Sequence, residues 1–99
     1  MKLLRGIELR YVLTFHLANQ GPATVNELIE GIRHHGFCVQ GRPSKAISDA
    51  LRWEIEHGRV YRLGRGRYGL GYIPRSTDQR IHQRVLALRS SVVAERWAL

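Results

Sequence analysis

The sequence predicts a mainly α domain: three helices leading into a small β-hairpin, with a further helix after it. Two capping-box patterns, Thr24-Val25-Asn26-Glu27 and Ser76-Thr77-Asp78-Gln79, mark helix starts. Pro43-Ser44 before an apolar stripe that stops at Gly58 marks another helix. A glycine series from Gly64 to Gly71 interrupts two short arms of strand-like residues. With 99 residues and 43% hydrophobic content, the chain holds one core. Residues 1–75 carry the three helices and hairpin, and 76–99 form the added C-terminal helix.

The first helix spans about Ile7 to Asn19, ahead of Gly21-Pro22. A step of 100° per residue gathers Ile7, Tyr11, Phe15 and Ala18 on one stripe, and Leu9, Leu13, His16 and Leu17 on the other side. A helix apolar nearly all round needs cover on more than one face. Thr24 caps the second helix, Leu28, Ile29 and Ile32 form its apolar side, and Gly36 suits the position that ends it. Ala23 to Val25 can pair as a very short strand before that cap. In the third helix, Ile47, Ala50, Leu51 and Ile55 make the expected core stripe, with Trp53 at its edge. Glu54 projects toward the apolar side, as a boundary position or toward a specific partner. The hairpin runs from Gly58 to Leu63 and from Arg67 to Tyr72, with Tyr68, Leu70 and Tyr72 on one face. The last helix, to about Ala98, places Ile81, Val85, Leu88, Val92 and Leu99 on one stripe, and Leu86, Val93 and Trp97 well round the cylinder.

Three helices followed by a twisted hairpin is the order of a winged helix-turn-helix, in which the third helix enters the major groove and the hairpin is the wing. The charge agrees. Sixteen Lys+Arg against eight Asp+Glu give +8 at pH 7, and only Lys2 and Lys45 are lysines. Such a balance points to a polyanion, and arginine suits bidentate contact with phosphates and guanine edges. Lys45, Ser48, Asp49 and Arg52 share the outer arc of the third helix. The arc offers two cations, a hydroxyl, and an acid able to accept from cytosine N4. From Gly58 to Arg75 there are five arginines (Arg59, Arg62, Arg65, Arg67 and Arg75) and no acid. Arg65 stands between Gly64 and Gly66, where small neighbours let backbone approach a groove. The expected DNA-binding set is Arg42, Ser44, Lys45, Ser48, Asp49, Arg52, Arg59, Arg62, Arg65 and Arg67. The plain alternative is a solvated basic face, and a GC-rich genome also writes Arg for Lys.

Gly41-Arg42-Pro43, Ile47, Leu51, Glu54-Ile55, Val60, Arg62, Gly64-Arg65-Gly66, Tyr68 and Leu70 resemble the C-terminal half of the HARE-type winged helix. The spacing is also similar to the globular domain of linker histones, where a Gly-aromatic turn like Gly36-Phe37 precedes the third helix. The resemblance covers roughly residues 24–70 and implies the fold with more force than it implies DNA binding. Where that family carries a capping Thr this chain has Arg42, so either Ser44 caps the third helix or its end frays.

Other motifs are weaker. His34, His35 and Cys38 lack a fourth ligand for a metal, and the glycine series lacks the helix and lysine of a phosphate loop. No catalytic constellation emerges, and neither a cofactor nor a small-molecule ligand is evident. No apolar run approaches the roughly 18–20 residues of a membrane span. Gly6, Glu8 and Arg10 interrupt the N-terminus too soon for a signal peptide. The reading is a non-enzymatic, cytoplasmic, nucleoid-associated binder of double-stranded DNA, acting as a transcriptional regulator or an architectural protein. Ile81, Val85, Leu88 and Val92 are expected to pack on the first helix, leaving Leu86, Val93 and Trp97 to form a homodimer. The rival reading is a winged-helix adaptor that docks an acidic protein.

Overall fold

The computed structural model describes residues 1–97. In order it has β1 (Lys2–Leu4), α1 (Ile7–Gln20), β2 (Ala23–Thr24), α2 (Val25–His34), β3 (Phe37–Val39), α3 (Pro43–Glu56), β4 (Val60–Arg62), β5 (Arg67–Leu70) and α4 (Arg75–Trp97). The architecture is mainly α, with two small sheets. One is the parallel pair β1–β3, and the other is antiparallel in the order β2-β5-β4. A continuous core runs from Leu4 and Phe37 through Leu13, Leu28, Ile47 and Leu51 to Val85 and Val92.

In α1 the stripe of Leu9, Val12, Leu13 and Leu17 is buried. Thr14 is buried with it, and its hydroxyl reaches the carbonyls of Arg10 and Tyr11 at 3.0 Å each, which satisfies the polar atom within the helix. Ile7, expected on a covered stripe, is half-exposed. α4 lies along α1 and buries Ile81, Val85, Leu88 and Val92. Arg84 donates to Glu8 at 2.9 Å, and the rings of Phe15 and His82 meet at 5.3 Å, along the same helix pair.

The capping box of α2 is formed. Glu27 N–H donates to Thr24 Oγ1 and Thr24 N–H donates to Glu27 Oε1, both at 3.1 Å. Gly36 follows the last turn at φ 80°, in the left-handed region where a Cβ is strained.

Four expectations need correction. Arg42, not Ser44, is the N-cap of α3, and it offers no side-chain bond. Pro43 at the first helical position has no N–H to satisfy, so the start needs less capping, and Ser44 sits exposed in the first turn. The buried stripe of α3 is Ile47, Leu51 and Glu54, while Ile55 is 38% exposed. The hairpin is shorter than its sequence pattern: Val60 faces Leu70 and Arg62 faces Tyr68, which leaves Tyr72 beyond the sheet and 79% exposed. Tyr61 points outward as well. Finally, α4 starts at Arg75, with Asp78 N–H bonded to Pro74 O at 2.9 Å. Ser76 therefore lies inside the first turn rather than at the cap.

β1 has no counterpart in the sequence reading. Lys2, Leu3 and Leu4 pair with Phe37, Cys38 and Val39, and both Leu4 and Phe37 are buried in the core. Ala98 and Leu99, expected at the end of α4, lie outside the described residues.

Candidate nucleic-acid interface

α3 and the hairpin are joined at a tight corner. The N–H groups of His57, Gly58 and Arg59 donate to carbonyls of Trp53, Glu54 and Ile55, so the chain leaves the helix directly into β4. Beneath this corner lies an ion-pair cluster. The Glu54 side chain is 1% exposed, with Arg59 Nε at 2.5 Å and Arg10 Nε at 4.0 Å. The Arg10 guanidinium sits 4.0 Å over the Trp53 ring, and the Arg59 guanidinium lies 5.0 Å from it. His57 stacks on Trp53 at 3.7 Å and bonds the Trp53 carbonyl at 2.8 Å through Nδ1. A buried carboxylate is tolerable here because cations meet it directly. Glu54 of α3 thus ties Arg10 of α1 to Arg59 at the entry to β4, and Arg59 is not a free surface cation.

Arg62 is also engaged, donating to the Tyr68 hydroxyl at 3.2 Å with its guanidinium 5.6 Å from the Tyr68 ring. The remaining residues of the expected set face solvent, apart from Ser48, which is half-buried. On the outer arc of α3, Lys45 donates to Asp49 at 2.8 Å, one turn apart. That bond, with the charges of Lys45 and Arg52, holds the Asp49 carboxyl below its ordinary range. Lys45, Asp49 and Arg52 thus form one electrostatic group. Arg42 stands at the N-cap position of the same helix.

The four residues Leu63 to Gly66 link β4 and β5, closed by Leu63 N–H to Arg67 O at 2.8 Å, and they carry Arg65 at the tip. Arg67 faces Thr24 across β2–β5. Its charge acts on Glu27, whose carboxyl is lowered chiefly by the backbone bond from Thr24. Among the described residues, Arg42, Arg52, Arg65 and Arg67 are exposed and form no ion pair.

Sequence reasoning left out Arg10 and the Trp53–His57 stack. The signal was present as two misfits, a cation on the apolar helix α1 and an acid on the core stripe of α3. Among the described residues, no three His, Cys, Asp or Glu side chains are grouped to hold a metal, and no helix is long and apolar enough to cross a membrane. Comparison with protein-family models, curated proteins and solved structures returned no match, so the resemblance of residues 24–70 to HARE-type domains gains no support there.

Proposed function

We propose that this chain is a winged-helix protein that binds double-stranded DNA, with α3 in the major groove and the β4–β5 hairpin as the wing on the backbone or minor groove. The observation that carries the reading is the partition of its arginines. Arg10 and Arg59 converge on Glu54 inside the corner, whereas Arg42 and Arg52 on α3, with Arg65 and Arg67 on the hairpin, are left to solvent. The winged-helix assignment is supported by β2, the short strand between α1 and α2, which joins the hairpin in the order β2-β5-β4. The reading assigns binding and no chemistry.

Fluorescence anisotropy on mixed-sequence duplex DNA across a salt series tests it. Phosphate-dominated binding weakens steeply as salt rises, and Arg52→Ala and Arg65→Ala each reduce it. Absence of binding at low salt removes the DNA reading and leaves the adaptor for an acidic protein in its place.

On the same reading the protein acts as a homodimer. Leu86 and Val93, 43% and 51% exposed, lie one heptad apart on α4, away from its buried stripe. Wet apolar side chains of this size forgo roughly 1.5–3 kcal/mol each. The Trp97 side chain, expected in the same patch, lies outside the described residues. A two-fold pair would present two α3 helices about one turn of DNA apart. A sedimentation-equilibrium mass of one chain at micromolar concentration would rule the dimer out.

A further inference from the structure

Away from α3 and the hairpin, a cavity of about 300 Å³ opens between α1, α2 and α4. Leu13, Phe37 and Val85 lie behind it fully buried and offer a ligand almost no surface. Its chemistry is set by the polar side chains that line it. His16 comes from α1, His35 from the end of α2, and Arg89 from α4, each of them half-buried. Gln20, exposed at the end of α1, adds a neutral amide. No acidic residue lines the cavity among the described residues. Among the same residues, the side chains of His16, His35 and Arg89 form no hydrogen bond or ion pair.

Burial, then the charges of Arg89, His34 and His16, hold the His35 imidazole below its ordinary value. His16, His35 and Arg89 are thus within electrostatic reach of one another, and like charges so placed oppose one another until an anion joins them. Gly31 stands inside α2 on an ordinary helical backbone, a position where glycine disfavours the helix. A Cβ there would fall 2.6 Å from His16 Cε1 and 2.7 Å from His16 Nδ1, so the missing side chain leaves the imidazole its place. We infer that this cavity binds a small divalent oxyanion of the sulfate or phosphate class, received by His16, His35 and Arg89. Arg89 supplies the permanent charge, and the two imidazoles supply donors that strengthen on protonation. No residue of α3 or the hairpin lines the cavity, so the site is independent of the DNA reading.

The charged neighbours set the sign of the pH dependence. Burial pushes His16 below its ordinary value, opposed by Glu27 of α2. Glu27 and Glu30 stand along the adjoining outer groove, and Glu27 Oε1 already accepts from Thr24 N–H. The exposed His34 ring lies edge-on to His35 at 5.2 Å. A bound oxyanion favours the protonated imidazoles, so binding takes up protons and tightens as pH falls through the histidine range.

Two-dimensional NMR with sodium sulfate at constant ionic strength, chloride making up the balance, tests the proposal. The ring signals of His16 and His35 should shift saturably. Sulfate holds its charge between about pH 8 and pH 5.5, so the rise in affinity expected on acidification belongs to the histidines. Arg89→Gln should weaken binding at least about tenfold. Gly31→Ala should weaken it too, while circular dichroism keeps the helical signal, since Ala favours a helix. Arg52→Ala and Arg65→Ala should leave the sulfate titration unchanged. Arg89→Gln should leave duplex DNA affinity within about twofold, which distinguishes a free anion from a DNA phosphate in the cavity. The sulfate series decides the matter whether or not duplex DNA binds. Shifts that grow linearly with sulfate, sulfate affinity unchanged in Arg89→Gln, or DNA binding weakened by Arg89→Gln as much as sulfate binding would each overturn it.

Discussion

Arg59 and Arg65 stand six positions apart on one hairpin, and their surroundings differ in kind. Arg59 lies against a carboxylate that is 1% exposed, beside a tryptophan face, at the corner where α3 becomes β4. Arg65 stands at the tip between two glycines, exposed and without a carboxylate partner among the described residues. Composition alone makes the two equivalent contributions to a net charge of +8. The difference teaches that a basic chain divides its cations by burial. Those that meet Glu54 join helix to helix and strand, and Arg65 is left to solvent.

The largest effect expected is from Arg59→Ala. It leaves Glu54 buried with only Arg10 at 4.0 Å, and removing one partner of a buried pair costs about 3–5 kcal/mol. Urea denaturation measures it, and a loss below about 1 kcal/mol would mean that the corner tolerates a lone carboxylate. Replacing both partners, Glu54→Leu with Arg59→Met, should recover most of that loss, because well-packed apolar pairs match buried ion pairs in stability. Thr24→Ala comes next. It removes the α2 cap beside the strand that faces Arg67, at about 1 kcal/mol on the same denaturation curve.

A smaller effect should appear with pH. His16 and His35 are both lowered in the folded protein, so the unfolded chain binds protons more readily. Their contribution is fully present above the unfolded value of 6.5 and is lost as pH falls toward the lower folded values. Melting temperature followed from neutral to mildly acid pH should decline, and Gln at both positions should flatten that part of the profile. Arg65→Ala should change stability least, within about 0.5 kcal/mol, while reducing the salt slope of DNA binding by about one. A large loss of stability in that variant would erase the distinction between the corner and the tip.

Several elements were legible because one local rule decided them. Thr24 and Glu27 carry both halves of a reciprocal cap, and Gly64-Arg65-Gly66 marks the hairpin tip without reference to anything distant. The third helix was legible in extent but not in its stripe. Ile47 and Leu51 lead by helical period to position 54 at the next step, but residue type favoured Ile55 over an acid. What reverses that preference is Arg59 and Arg10, supplied from other elements and invisible to a window along the helix. The candidate surface was read in the same partial way. Arg52 and Arg65 face solvent as their positions suggested, whereas Arg59 was counted among them because charge was read without burial. The strand β1 escaped because Lys2, Leu3 and Leu4 show no alternation, and their partner is another three-residue strand far along the chain.

That pairing has a topological consequence. Lys2 and Phe37 stand 35 positions apart in sequence and side by side in the sheet, so α1 and α2 lie inside a loop shut by three ladder positions. Closing a loop costs entropy that rises only with the logarithm of its length, but the cost is met in full before the first rung forms. The ladder is therefore expected to behave as a drawstring, late to tighten during folding and early to slacken in the native state. Its opening would free the start of α1 and wet Phe37 in one motion. Amide protons along Phe37–Val39 and the first turn of α1 should then exchange together, as one cooperative unit distinct from the hairpin.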